Sequence, residues 1–285
     1  MASLRTIKRR IKGVQSTAKI TKAMEMIAAL RMRRAQERGL AGRPYSEKIT
    51  QVIADLAALP QFSQPLHPLL IQREIKNISL VLVTPDRGLC GGMIGNLNRR
   101  TASFILEQKV PVSIIVVGRK GLDFMRRYNQ KILAEFTGLG DSPSQFDTLP
   151  ISRIIIDDYT NGTIDAAYIA YTQFISTMAQ KPVIVQLLPV QPAKIPPGEN
   201  VDYIYEPDAN TVLSGLLPRF VEMQIYHAIL ESIASEQSAR MVAMRNATDN
   251  ANELIDELTL LYNKARQESI TKELLDITAG ASALS

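Results

Sequence analysis

Apolar residues recur at alternating three- and four-residue intervals at both ends of the chain, and in short unbroken runs between them. Near the C-terminus, Met244, Ala247, Ala251, Leu254, Leu258, Leu261 and Ala265 follow the spacing that keeps one seam of a helix turned toward a partner helix. Three of these seven are alanines, so the partner backbone can come close. Residues 219–279 contain neither proline nor glycine, which predicts an uninterrupted helix of roughly 90 Å at ~1.5 Å per residue. At the other end, Leu4, Ile7, Ile11, Val14 and Ala18 hold the same rhythm, and Ile20, Met24, Ile27 and Leu30 continue an apolar face after a shift. Gly13, Gly39 and Gly42 weaken this stretch, and Pro44 should bend it. The pattern resumes with Ile49, Val52, Ile53 and Leu56 and stops at Pro60. Two long helices that open and close a chain can return to each other as an antiparallel two-stranded coil. Its predicted seam includes Ile11, Met244, Leu254, Leu258 and Leu261.

Between them the period changes. Ile78–Thr84 and Val112–Val117 are apolar on both faces and strand-sized, and Ile132–Phe136 reads as a third strand. Helices are expected over 94–108, over 120–128, and over 151–159 entered at Pro150. Residues 165–176 and 182–188 read as a hairpin joined across 179–181. Apolar strands alternating with helices predict a mainly parallel sheet covered on both faces. The predicted fold class is α/β: a long antiparallel two-helix coiled coil from the terminal segments plus a central Rossmann-like domain. The expected divisions are 1–59 for the first coil helix, 60–77 a linker, 78–190 the central domain, 191–208 a proline-bearing linker and 209–285 the second coil helix.

Charge sharpens this picture. Residues 1–43 carry twelve Lys/Arg against Glu25 and Glu37, whereas residues 219–285 carry six Lys/Arg against ten Asp/Glu. The whole chain is only +5, so its basic character is concentrated at the N-terminus. Opposite signs favour pairing of the two helices. The residual positive charge leaves a basic coiled-coil nucleic-acid-binding protein as the alternative reading, although few aromatics lie among the basic residues. No apolar run reaches the ~18–20 residues of a membrane span. The N-terminus lacks a secretion-type apolar core, and no transit segment is expected. A single cysteine, Cys90, rules out an internal disulfide.

Arg87-Gly88-Leu89-Cys90-Gly91-Gly92-Met93-Ile94-Gly95-Asn96 follows a strand and precedes a helix, where phosphate-binding loops sit. Its spacing is G-x-x-G-G-x-x-G, which matches neither dinucleotide nor P-loop signatures, and no Lys-Ser/Thr follows. The other reading is a tight turn whose glycines allow close packing, with Cys90 a small packed residue. His67 and His227 have no evident partner for base catalysis, and no cluster has metal-ligand spacing. No catalytic residue, metal or cofactor is expected.

Three separated motifs carry a resemblance. Arg9-Arg10-Ile11-Lys12 followed by Ile20-Thr21-Lys22-Ala23-Met24-Glu25-Met26-Ile27-Ala28-Ala29 resembles the opening helix of the γ subunits of F-type ATP synthases. Asp86-Arg87-Gly88-Leu89-Cys90-Gly91-Gly92 is similar to that family's central turn, and Asn263–Glu273 with Gly280-Ala281 to its terminal signature. The resemblance implies a non-catalytic rotor of bacterial type on the cytoplasmic face of the plasma membrane, peripheral to it. Its implied partners are the α and β subunits of the ATPase hexamer, the ε subunit and the c-ring, with no nucleotide or nucleic acid of its own. It also implies partner contacts at Lys22, Met24, Arg266 and Gln267, with Lys22 and Met24 near the same belt as the other two. The family turn would comprise Arg87, Gly88, Cys90, Gly91 and Gly92. With one cysteine, thiol regulation of the plastid kind is not expected.

Overall fold

The computed structural model describes residues 4–58, 67–191, 206 and 208–284. Residues 60–66 of the first expected linker and most of the second, 191–208, lie outside these residues. The element order is α1 (Leu4–Ala58), a 3-10 turn (Pro68–Leu70), β1 (Ile78–Val83), α2 (Met93–Glu107), β2 (Val112–Val117), α3 (Arg119–Arg127), β3 (Ile132–Phe136), α4 (Gln145–Thr160), β4 (Ala166–Phe174), β5 (Gln180–Leu188) and α5 (Ala209–Leu284). The chain divides into two compact units, residues 1–28 with 241–285 and residues 29–240.

In the larger unit the sheet order is β3-β2-β1-β4-β5. β3, β2, β1 and β4 are parallel, and β5 returns antiparallel along β4. Burial on both faces explains why β1 is apolar at nearly every position. Leu80 and Leu82 point into one core with Ile114, Val116, Leu97 of α2 and Leu122 and Met125 of α3. Val81 and Val83 point into the other, with Ile115, Val117, and Ile151, Ile155 and Tyr159 of α4. That second core also takes Ala35, Ile49, Ile53 and Leu56 of α1 and α5 residues from Leu213 to Ala234.

Three helices extend beyond proline signals. α1 continues through Pro44, although proline removes a donor and crowds the preceding turn at a cost of about 3 kcal/mol. Burial of Ala35, Ile49, Ile53 and Leu56 on either side offsets that cost. α4 starts at Gln145 rather than at Pro150, because the Asp147 carboxylate accepts from the Ser144 N–H at 2.7 Å and fixes the first turn upstream. These bonds hold the Asp147 carboxyl below its ordinary range. α5 starts at Ala209, ten residues before the proline-free run, just after Asp208, whose carboxylate accepts from the Thr211 N–H at 2.9 Å and from its hydroxyl at 2.7 Å.

The C-terminal ends of β1 and β2 approach unusually closely. The Thr84 hydroxyl accepts from the Gly121 N–H at 2.8 Å and sits 3.0 Å from the Val117 carbonyl oxygen, to which it can donate. Gly118 has φ +91°, and a Cβ there would lie 1.8 Å from the Thr84 carbonyl oxygen. Backbone cannot yield as a side-chain tip can. Gly118→Ala is therefore expected to lower unfolding free energy by more than about 2 kcal/mol in urea titration of the full chain. A loss below about 0.5 kcal/mol would contradict this account of the strand ends.

Candidate functional site

The smaller unit is a two-helix coil with a narrow seam. On α1 the inward line runs Leu4, Ile7, Ile11, Val14, Ala18, Thr21, Ala28, half-buried or buried throughout. On α5 it runs Met244, Thr248, Ala251, Ile255, Leu258, Tyr262, Ala265, Ser269. Thr21 and Thr248 meet across the seam, with hydroxyl oxygens 2.7 Å apart. Burial of Leu4–Ala18 together with Ile255–Ser269 requires antiparallel pairing about that contact. Ile11 then stands opposite Leu258, and Ala18 opposite Ala251. Beyond Ser269, α5 has run past the first helix, and residues 270–279 are exposed.

This seam differs from the sequence reading at two places. Leu254 and Leu261 are 42% and 50% exposed, and Ile255 and Tyr262 occupy the inward positions. The inward line passes through Thr248, Ile255 and Tyr262 rather than Ala247, Leu254 and Leu261, while Met244, Ala251, Leu258 and Ala265 keep the expected positions. Nor does α1 shift its face after Ala18. Ile20 and Ile27 are exposed, and Thr21 and Ala28 are buried in their place. A hydrophobicity pattern passes over threonine. Yet Thr21 Oγ1 and Thr248 Oγ1 also lie within 3.1 Å and 2.8 Å of the Ala18 and Met244 carbonyl oxygens. Each hydroxyl can be satisfied inside the seam, so burial carries no unpaired polar group.

The residues implied as partner contacts lie on the outside. Lys22 is exposed and ion-paired to Glu25 at 3.0 Å, Met24 is half-buried, and Arg266 and Gln267 are exposed. They do not form one belt. The Thr21–Thr248 register sets Met24 opposite Arg245, about twenty residues and roughly 30 Å along the coil from Arg266.

In the larger unit the turn after β1 is anchored rather than open. Cys90 is buried, and Gly91 has φ +59°, a conformation glycine adopts freely. Burial pushes the Cys90 thiol up, against the opposing pull of Arg240. Arg240 of α5 donates to the Gly88 carbonyl at 3.1 Å and to Glu236 Oε1 at 2.7 Å. Burial raises the Glu236 carboxyl, outweighing the lowering by Arg240. Asp86 accepts from the Arg119 N–H at 2.9 Å and from the Gly138 N–H at 3.0 Å. The crevice at the strand ends, about 200 Å³, is lined by Asp86, Asp141 and Glu236 beside Ile229, Ser232 and Ile233 of α5. Each of these carboxylates is already engaged, Asp86 by backbone N–H groups, Asp141 by Arg31 and Gln237, and Glu236 by Arg240, and Arg87 lines the same crevice. The geometry is that of the tight, packed turn.

The same stretch of α5 bonds to other loops. Ser235 donates to the Thr172 carbonyl at 2.9 Å and Ser238 to the Thr177 carbonyl at 2.8 Å. Gln237 donates to Asp141 at 3.0 Å, and Arg31 of α1 pairs with the same carboxylate. These bonds were not legible from spacing, because small polar residues inside an apolar helix carry no period of their own. The histidines are structural: His67 Nδ1 accepts from the Leu69 N–H at 3.2 Å, and the His227 ring packs against Gly42. Among the described residues no group of three His, Cys, Asp or Glu could hold a metal ion, and no helix is long and apolar enough to cross a membrane.

The chain thus combines a two-helix coil built from its two ends with a mainly parallel sheet domain that lies between them in sequence. Comparison with known proteins carries this further. The family profile described as ATP synthase matches residues 3–284. An ATP synthase gamma chain of Dehalococcoides mccartyi strain CBDB1 is 69% identical over 284 residues, covering all of both chains. That of Roseiflexus castenholzii is 48% identical, covering all of this chain and 99% of the relative. The chain belongs to the ATP synthase gamma chain family. Among solved structures, a chain of the Euglena gracilis mitochondrial ATP synthase OSCP/F1/c-ring shares the fold with TM-score 0.68 at 20% identity, covering 99% of this chain and 94% of that one. A chain of the Tetrahymena thermophila central stalk/c-ring gives TM-score 0.62 at 22% identity, covering 80% and 99%.

The burial pattern ranks substitutions along α5. Met244→Ala, at a buried seam position, is expected to cost about 2 kcal/mol or more, and Leu261→Ala less than about 0.5 kcal/mol. Thermal unfolding of the full chain followed at the helical signal checks this. Equal losses would return Leu261 to the seam.

Proposed function

We propose that this chain is the rotor of an ATP synthase central stalk. Its coil, built from residues within 1–59 and 209–285, would turn inside a hexamer of alternating α and β subunits. Its sheet domain, residues 78–190, would lie toward the ε subunit and the c-ring. The observation that carries the reading is the apolar surface left outside the seam. Ile20, Met26 and Ile27 of α1 and Leu254, Leu260, Leu261, Ile270, Leu274, Leu275 and Ile277 of α5 are all exposed. A coil standing in water needs none of them. A coil sheathed by other subunits buries them. The relatives' name and the rotor and central-stalk assemblies of the structural neighbours support the same reading.

A rotor can bias a catalytic subunit only by contacting its open and closed forms differently. Turning a 1:99 equilibrium into 99:1 needs about 5.5 kcal/mol of such difference. A packed coil compresses little, so steric exclusion supplies most of it. Lys22 and Met24 at one height and Arg266 and Gln267 at another would add directional contacts. The excess charge of residues 1–43 is read as facing an acidic protein surface rather than nucleic acid. The chain itself would catalyse nothing and bind no nucleotide. It would sit on the cytoplasmic face of a bacterial membrane, peripheral through the complex.

The chain is expected to copurify with the hexamer at one copy per complex. Crosslinking α5 near Arg266 to a β subunit should stop steady ATP turnover, and cleaving the link should restore it. Full turnover while linked, or several copies per hexamer, would sink the reading.

A further inference from the structure

The loop after β3 is fixed before it meets either long helix. Gly138 and Gly140 take φ of +78° and +76°, a sharp turn that glycine makes without strain. The Gly138 N–H is held by Asp86, and the Leu139 side chain packs against the main core. Three residues past Asp141, the Ser144–Asp147 capping box starts α4. Asp141 is thus carried between a pinned turn and a capped helix, and its carboxylate has a defined place.

That carboxylate gives one oxygen to each long helix. Oδ2 accepts from Arg31 of α1, and Oδ1 accepts from Gln237 of α5 at 3.0 Å. Both helices continue without a break into the residues of the coil unit. Both contacts lie beside the boundary between the units in sequence. Arg31 comes three positions after Ala28, the last α1 residue of the coil unit, and Gln237 four before Met241, its first α5 residue.

Stability explains neither contact. The Arg31 and Asp141 side chains are 39% and 40% exposed, and an ion pair so open to solvent adds little. Gln237 is buried, its Nε2 is given to Asp141, and its Oε1 has no hydrogen-bond partner among the described residues. A methionine of similar shape would be buried there without an unpaired acceptor. What the two contacts supply is direction. Each sets the angular position of one helix against the same loop.

We propose that Asp141 is a torsional bracket, gripping α1 and α5 at one level so that torque passes between the helix pair and the sheet through the loop after β3. The inference rests on the rotor reading above and deepens it, because it names where the sheet domain takes the load. Arg31, Asp141 and Gln237 are positioning residues that act on one another within the chain.

The test uses the full chain assembled with the hexamer. The hexamer is fixed to a surface, and a bead is attached to the sheet domain through Lys109→Cys, the natural Cys90 being buried. With the catalytic subunits stalled by a non-hydrolysable ATP analogue, the angular variance of the bead reads the stiffness between coil and sheet. Asp141→Ala should raise that variance at least about twofold. Arg31→Gln and Gln237→Met should each raise it too, and neither should raise it further in the Asp141→Ala background, because all three act through one carboxylate. The Tm of the Gln237→Met chain should stay level or rise, so that stiffness falls without a loss of stability, which a merely structural role does not allow. The Arg31 and Gln237 variants keep the test intact where Asp141→Ala fails to fold. Wild-type variance in these variants overturns the bracket, as does a further rise in the Asp141→Ala background. Failure of the rotor reading looks different: the unaltered chain would not enter the hexamer, or its bead would not turn with ATP.

Discussion

The pairing of residues 4–28 with residues 241–269 is the constraint on which the rest depends. It closes a loop of over two hundred residues, yet closure entropy grows only logarithmically with length, so a modest seam can hold it. The seam is made largely of small and medium side chains, and at Ala18–Thr21 against Thr248–Ala251 the helices come within reach of a hydroxyl–hydroxyl hydrogen bond. The hydrogens decide how that contact works. Two hydroxyls have two protons for three short oxygen contacts, so one threonine donates across the seam and the other donates to its own helix. The net gain is about 1 kcal/mol, small beside the apolar burial around it. Its value is geometric, because it is satisfied in one register only.

Within the larger unit, α5 serves two kinds of interaction on successive turns. From Leu213 to Ala234 it contributes apolar side chains to the core beneath the sheet. From Ser235 to Arg240 it hydrogen-bonds to the β4 end, the β4–β5 hairpin, the loop after β3 and the turn after β1. The apolar part supplies most of the attachment energy, since hydrogen bonds exchanged with water are worth about 1 kcal/mol each. The polar part fixes orientation, because each of its bonds is directional. The two act together, as burial resists separation and hydrogen bonds resist twist.

What could be read from the sequence follows from which forces leave a periodic trace. β1 and β2 were legible because burial on both faces leaves runs such as Ile114–Val117 without a polar break. The coil was legible as an object, through Leu4, Ile7 and Ile11 on one helix and Ala251, Leu258 and Ala265 on the other. Its seam was legible only up to Thr21 and Thr248, where two satisfied hydroxyls stand in apolar positions. Reading past them as gaps moved the inferred face of α1 onto Ile20 and Ile27, and that of α5 onto Leu254 and Leu261. Those exposed side chains are apolar for a reason the isolated chain does not supply, so hydrophobicity marked two surfaces and spacing alone could not separate them. The Arg240 clamp left no trace, since the residues it joins lie 152 positions apart.

The sheet domain shows how a fold suited to ligands can be turned to mechanics. In open α/β sheets the crevice beyond the carboxyl ends of the strands is the usual binding position. Here Ile229, Ile233 and Glu236 of the chain's own helix line that crevice. Asp86 holds the N–H groups of Arg119 and Gly138, donors that an anion would otherwise use. Its carboxylate is in effect a built-in anion at the start of α3. A nucleotide phosphate brought to the same place would meet Asp86, Asp141 and Glu236 and would have to displace bonds that join three loops. Topology alone would suggest a binding domain, whereas the side chains that fill the crevice use the same geometry to fasten the domain to a helix. The chemistry at the strand ends is therefore that of a joint.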